Sequence, residues 1–343
     1  MERCRAGQAV AYILTTKNPS AHCQSIVAID ILSRDFFTEG MKSLLGAYCA
    51  CTKDLGLHSC RFETGMQYKQ LSSLGEVSLL GLGCGSLGSL THPRTRRESL
   101  SLIAAAIDSG ITLFDTADIY AQGESERLLG EALRSTDARI ITKAGQQFPL
   151  AKRVLLPLRG VAKSLLAHST PARAAAIAVR AKPLQRNYTP EYLRRAVLRS
   201  LARLRREQVD MFLLHSPSAA DLADGEALDC LSALKQEGLA RCIGVSCDDQ
   251  ATLIGIASDK RVEVIEAPFG PNRQDLLVDL KHAAERGAIV IAREILTRDL
   301  KARRPAVAAA LSFCLAEPSI AVSLVGTTDA RHLDEAIRAV GSI

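Results

Sequence analysis

The chain has 343 residues, 47% of them hydrophobic, 4% aromatic and none Trp, and its formal charge is +6. That is enough apolar material for a large core in one or two domains, and no apolar run reaches the roughly 20 residues that a bilayer-spanning helix needs. The charge is local, because Lys152, Arg153, Arg159, Lys163, Arg173, Arg180, Lys182 and Arg186 fall in residues 146–186 with no acid among them; with Phe148 the sole aromatic there, little is offered for stacking bases, so neither a nucleic acid nor a membrane is expected as a partner.

In chain order, residues 1–65 come first. They hold half of the ten cysteines and show no clean periodicity. They read as an N-terminal extension, an appendage of the kind that translation from an upstream start would add before Met66. The first 25 residues lack a basic region followed by an apolar core, while Arg3 and Arg5 leave an organelle-targeting reading open. Scattered cysteines in a long chain predict reduced thiols in a cytoplasmic protein. Cys49 and Cys51 stand too close for a zinc knuckle, and no metal is expected.

A different texture begins at Met66. "MQYKQLSSLGEVSLL", broken at Leu74-Gly75, predicts a β-hairpin. Eight short aliphatic runs follow: "VSLLGLGC", "ITLFDTAD", "ARIITKA", "VDMFLLHS", "ARCIGVSC", "VEVIEAPF", "AIVIARE" and "AVSLVGT". Between them, segments such as "SERLLGEALR" and "TPEYLRRAVLRSLARL" space apolar residues by three and four and open on cap-like Ser, Thr or Asp. Runs that are continuously apolar rather than alternating mark strands covered on both faces, as in a parallel sheet. Eight strand-helix units in residues 66–343 predict an α/β fold, a (β/α)8 TIM barrel whose bottom the hairpin plugs. A dinucleotide-binding open sheet is the rival, since "GCGSLG" (Gly83, Gly85, Gly88) satisfies G-x-G-x-x-G. It is disfavoured because Pro93 delays the helix that should meet the pyrophosphate. The basic insertion 146–186 follows the third strand and reads as two short helices broken at Pro171 and Pro183, either a lid or a surface excursion. The last helical segment ends shortly before Ile343.

Catalytic groups of a barrel gather at the C-terminal ends of its strands. The second run ends in Asp115 with Tyr120 just beyond, the third in Lys143 and the fourth in His215. Reduction of a carbonyl by hydride needs a proton delivered to its oxygen, and Tyr can deliver one if a cation pulls its pKa down from about 10. Lys143 is expected to supply that cation, Asp115 to hold Lys143, and His215 to orient the carbonyl. Asp118 reads as a loop acid, Ser125 as the cap of the next helix, and Glu131 as a solvent-side residue.

"FDTADIYAQGESERLLGEALR", "IITKAG", "MFLLHSP", "CIGVS" and "LVGTTDARHLDEA" resemble, in order, the signature segments of the aldo-keto reductases. The resemblance implies an eightfold barrel that reduces a small aldehyde or ketone with NADPH or NADH, as a monomer or weak oligomer, with Asp115, Tyr120, Lys143 and His215 as its tetrad. By position it assigns Cys84 and Gly85, Ser246 and Cys247, Glu266 and Arg293 to the nicotinamide end of the cofactor. Gly326, Thr327, Thr328, His332 and Glu335 fall to the adenosine phosphate. Glu266 stands where relatives carry Gln, Cys247 where many carry Asn, and Arg293 where some stack a Tyr. Arg331 or His332 could meet a 2′-phosphate, which favours NADPH. The competing expectation is a non-catalytic barrel of the same superfamily that binds nicotinamide cofactor as a regulatory subunit.

Overall fold

In the computed structural model the described residues are 2–6, 9–13, 66–71, 73–89, 94–147, 184–295 and 304–341. Most of the N-terminal extension and of the basic insertion therefore lies outside them. The chain divides into two compact units, Met1–Phe62 and Glu63–Ile343. In the first, β1 (Glu2–Ala6) pairs antiparallel with β2 (Ala9–Ile13), a hairpin that the sequence pattern does not announce.

The second unit opens with β3 (Tyr68–Leu71) and β4 (Gly75–Ser78), antiparallel across a turn in which Gly75 takes φ +73°. Leu71, Leu74 and Val77 of this hairpin join one apolar cluster with Leu113, Ile141, Met211, Cys242, Val264 and Ile289 of the barrel strands. The hairpin is thus the expected plug, fixed by apolar burial worth about 1.5–3 kcal/mol for each large side chain.

The barrel closes in the order β5 (Leu80–Gly83), β6 (Leu113–Asp115), β7 (Arg139–Ala144), β10 (Val209–His215), β11 (Ala240–Ser246), β12 (Val264–Pro268), β13 (Ile289–Arg293), β14 (Val322–Gly326) and back to β5. Every pairing round it is parallel. A helix follows each strand in turn: α1 (Arg96–Asp108), α2 (Glu124–Ala132), α3 (Pro190–Leu204), α4 (Glu226–Gln236), α5 (Gln250–Ala257), α6 (Leu277–Glu285), α7 (Arg304–Leu315) and α8 (Ala330–Gly341). The (β/α)8 expectation holds and the open-sheet rival fails, because β14 pairs with β5 and leaves no edge. Between β7 and α3, β8 (Gln146–Gln147) and β9 (Gln185–Arg186) form a two-residue antiparallel clasp across the ends of the basic insertion.

Two helix starts follow local chemistry. Thr95 and Glu98 make a reciprocal capping box on α1, and Asp249 caps α5 through Thr252 N at 2.9 Å. α2 departs from expectation, since its cap is Gly123 and not Ser125. Ser125 is fully buried; it accepts from Thr116 Oγ1 at 2.8 Å and donates to the Cys84 carbonyl at 3.0 Å. The hydroxyl that could cap the helix instead ties it to the ends of β5 and β6. Glu126 is buried beside it, accepting from Thr142 Oγ1 at 2.6 Å and ion-paired with Arg203 of α3. Glu131 lies on the solvent side as expected, paired with Arg96.

Candidate active site

Polar side chains collect where the strands end. Lys143 is fully buried on β7, ion-paired with the Asp115 carboxylate at the end of β6, and it donates to the Thr116 carbonyl at 3.2 Å. Its ammonium also stands 3.3 Å from Glu266 Oε2 and 5.4 Å from the centroid of the Tyr120 ring. His215, at the end of β10, meets that ring edge-on, with centroids 5.5 Å apart and planes at 85°. The structure therefore brings together the four residues Asp115, Tyr120, Lys143 and His215, and it adds Glu266 to them.

The nicotinamide-end candidates lie on the next strands. Ser246 Oγ donates to Glu266 Oε1 at 3.1 Å, and Arg293 Nε is 3.4 Å from the same oxygen. The Arg293 guanidinium also reaches Asp248, Glu294 and, at 2.9 Å, the Cys247 carbonyl. Cys84 is buried with its amide on the Asp115 carbonyl, and a Cβ at Gly85 would lie 3.5 Å from the Tyr120 ring. The phosphate-end candidates sit apart, beyond β14. Thr327 Oγ1 exchanges hydrogen bonds with the Asp329 backbone; Asp329 pairs with Arg331 at 2.8 Å and with Arg94 at 3.2 Å. His332 is exposed, whereas Gly326 and Thr328 flank Thr327 and Glu335 is half-buried one turn along α8.

The electrostatics correct one expectation. The Tyr120 phenol is not drawn toward neutrality but pushed up to about 12, because burial raises it and Lys143 only partly opposes this, with Asp115 and Glu266 raising it further. Burial also raises Asp115, to about 7, with Glu266 adding to the effect and Lys143 countering it. Lys143 loses charge preference by burial yet is held above the usual lysine range by Asp115, Glu266 and Tyr120. Burial, then Lys143 and Arg293, hold His215 well below its ordinary value, so it stays a neutral imidazole; its Nδ1 is buried without a hydrogen-bond partner.

Asp118 keeps out of this group. Its Oδ2 accepts from Tyr192 at 3.2 Å, and burial with Glu126 nearby raises it to about 7. Raised carboxyls bind more protons folded than unfolded, so their contribution to stability is lost as pH climbs from about 4 to about 7. Asp118→Asn, neutral at every pH, should gain on the wild type between pH 5 and pH 8 by ~1 kcal/mol or more in urea unfolding. Parallel stability curves would reject the raised value.

Strained backbone marks the same rim. Left-handed φ occurs at Ala121 (+48°) and Gln122 (+60°) after Tyr120, at Ser216 (+53°) after His215 and at Glu294 (+55°) after Arg293. Such residues persist where the surroundings over-determine them, often at functional sites. Ala121→Gly removes a Cβ from that conformation and should raise stability by about 0.5–1 kcal/mol; an unchanged or lower urea midpoint would show that Ala121 is unstrained.

Three contributors escape a sequence reading. Tyr188 donates to the His215 carbonyl at 2.8 Å, and its ring lies where a side chain on Gly145 (φ +125°) would sit. Asp248 holds Arg293, and Glu126 carries a buried charge behind β7. The first Asp in "SCDD" and the second Glu in "GESER" are the sole sequence traces of the last two. Among the described residues, no group of three or more His, Cys, Asp or Glu could hold a metal ion.

Asp115, Lys143 and His215 lie toward the C-terminal strand ends of a closed parallel barrel, where barrel enzymes place their catalytic groups. The model of the Aldo/keto reductase family matches residues 79–296. The oxidoreductase YqkF of Bacillus subtilis is 30% identical over 173 residues, 50% of this chain and 45% of that protein. Solved structures share the fold: an aldo-keto reductase of Bacillus halodurans in its holo form (TM-score 0.63, 22% identity, covering 80% of this chain and 91% of that one), and one of Klebsiella pneumoniae in complex with NADPH (TM-score 0.59, 18% identity, 80% and 89%). The chain spans about half the length of the curated relatives it matches. It belongs to the aldo/keto reductase family.

Proposed function

We propose that this chain reduces a small aldehyde or ketone reversibly by hydride transfer from NADPH or NADH, with Tyr120 as the general acid. The observation that carries this reading is the convergence of Asp115, Lys143 and His215 on the Tyr120 ring.

The residues suit a nicotinamide. Its carboxamide offers one acceptor and one NH₂ donor; Arg293 can donate to the former, as can Ser246 once its hydroxyl turns from Glu266 Oε1, and Glu266 Oε2, which has the Lys143 ammonium 3.3 Å away but accepts no hydrogen bond, can accept from the latter. Cys84, Gly85 and Cys247 line this end, and Gly326, Thr327, Thr328, His332 and Glu335 the adenosine end. When bound, the cofactor supplies the hydride. The chain's part is to orient the carbonyl and deliver a proton: the Tyr120 hydroxyl donates to the carbonyl oxygen as charge builds there, and the neutral His215 offers its single N–H as a second donor. Lys143 lowers the cost of the phenolate left behind, and Asp115 keeps the ammonium in place. A burial of 0% exposure at Lys143 excludes water, so its charge acts on Tyr120 at low effective dielectric.

Arg94 and Arg331 meeting at Asp329, next to Thr327, support NADPH over NADH. The test is oxidation of each cofactor with a panel of aldehydes and ketones. Turnover of at least one carbonyl, with higher kcat/KM for NADPH, is expected. A second reading, a nicotinamide-binding barrel without turnover, draws on the Glu266–Arg293 pair at the carboxamide position; cofactor binding without turnover of any carbonyl would favour it.

A further inference from the structure

The position of Glu266 has a consequence for Tyr120. On β12, Glu266 is three strands round the barrel from β7, yet its carboxylate crosses the mouth to within 3.3 Å of Lys143 Nζ. Lys143 already has a carboxylate partner in Asp115. Glu266 itself is 1% exposed and is held from behind by Ser246 Oγ at 3.1 Å and Arg293 Nε at 3.4 Å, so its direction is fixed. Two carboxylates thus share one ammonium beneath the phenol. A buried carboxylate is costly to keep charged, and neutralising Lys143 does not require a second one.

We propose that Glu266, by sharing Lys143 with Asp115, is a positioning residue that restrains proton donation by Tyr120. The inference rests on the functional reading above for its catalytic meaning, but its electrostatic content stands on the geometry alone. Every charged or titratable group that faces this cluster can be named. Asp115 comes from β6, Lys143 from β7, the neutral His215 from β10, and Cys247, with its thiol pushed up to about 12, from the end of β11. Glu266 comes from β12, Arg293 from β13 with Asp248 and Glu294 on its outer side, and the buried thiol of Cys84 from the end of β5; β14, "VSLVG", offers none. Of the two carboxylates on Lys143, Glu266 is the one whose removal leaves the Asp115–Lys143 pair intact.

The restraint has two faces. With Glu266 charged, the phenolate that proton donation would leave behind is less well compensated, which slows donation. The same restraint keeps Tyr120 protonated to higher pH, so the acid form needed for reduction persists over a wider alkaline range.

The test uses Glu266→Gln, an isostere that keeps the side-chain oxygen. In the cofactor-free protein, tyrosinate absorbance is titrated against a Tyr120→Phe control, which isolates Tyr120 from the other five tyrosines. The Tyr120 midpoint is expected to fall by about 1 pH unit. At saturating cofactor, kcat for carbonyl reduction should rise at neutral pH and its alkaline limb should move down by the same amount. Glu266→Asp, which keeps the charge but retracts it by one methylene, should give an intermediate shift, and it serves as the folded comparison if the Gln variant is damaged. A Tyr120 midpoint that does not move in folded Glu266→Gln would overturn the proposal. If the wild type turns over no carbonyl, the functional reading fails, while the tyrosinate titration still decides this one.

Discussion

Tyr120→Phe is expected to lower kcat/KM for carbonyl reduction by roughly 10²–10⁴-fold, the span that positioned acid catalysis commonly contributes. The substitution removes one hydroxyl and keeps the ring. The edge-on contact with His215 at 5.5 Å and the approach of Lys143 at 5.4 Å both belong to the ring, so the local packing survives. Because Tyr120 is half-buried, losing its O–H should shift the urea midpoint little. Cofactor affinity, measured by fluorescence titration, should also stay near the wild-type value. The pattern that identifies a proton donor is therefore a collapsed kcat with unchanged stability and cofactor binding. Undiminished turnover in the folded variant would remove Tyr120 from the mechanism and pass the donor role to His215, whose ring lies edge-on to that of Tyr120.

Lys143→Met should be the more damaging change to the molecule itself. Met matches the stem of Lys in length and apolarity but leaves Asp115 and Glu266 facing each other without the ammonium that separates them. Breaking a buried charge pair on one side costs about 3–5 kcal/mol, since the partner stays buried and uncompensated. Here two partners are affected, and Arg293 remains ion-paired with Glu266 but not with Asp115. The loss should shrink as pH falls from 8 toward 5, because Asp115, whose carboxyl is already raised by burial, then takes up a proton. Adding Glu266→Gln to Lys143→Met should restore part of the stability, giving a double variant less damaged than the two single losses would sum to. Urea unfolding at the two pH values measures all of this; a loss under about 1 kcal/mol at pH 8 would mean that the pair is not dry.

The barrel is legible in sequence because buried parallel strands have little freedom in composition. Runs such as "VDMFLLH" and "VIEAP" are apolar on both faces, and a polar residue at their end stands out. That is how Asp115, Lys143 and His215 could be picked out before their geometry was known. What stayed hidden depends on closure. Lys143 and Glu266 lie 123 positions apart in sequence, and the mouth of the ring is what brings their charges to 3.3 Å. For the same reason the acidity of Tyr120 is misjudged from sequence: one cation on the next strand can be foreseen, but burial and a second carboxylate cannot. Ser125 fails differently. A Ser at the head of an amphipathic segment is a good cap by propensity, yet propensity does not say whether the hydroxyl faces water or the strand ends, and here Thr116 and the Cys84 carbonyl claim it.

The short clasp of Gln146–Gln147 with Gln185–Arg186 bears on how such a barrel can change over time. It brings the two ends of the basic insertion together before the chain re-enters the ring at α3, so the strands beyond it see a fixed attachment whatever lies between. Doubling the length of a tethered loop costs only about 0.6 kcal/mol in closure entropy. Segments of quite different length and charge can therefore be exchanged at this clasp, on the rim that carries Tyr120 and His215, while the ring that holds those residues in register keeps its own sequence.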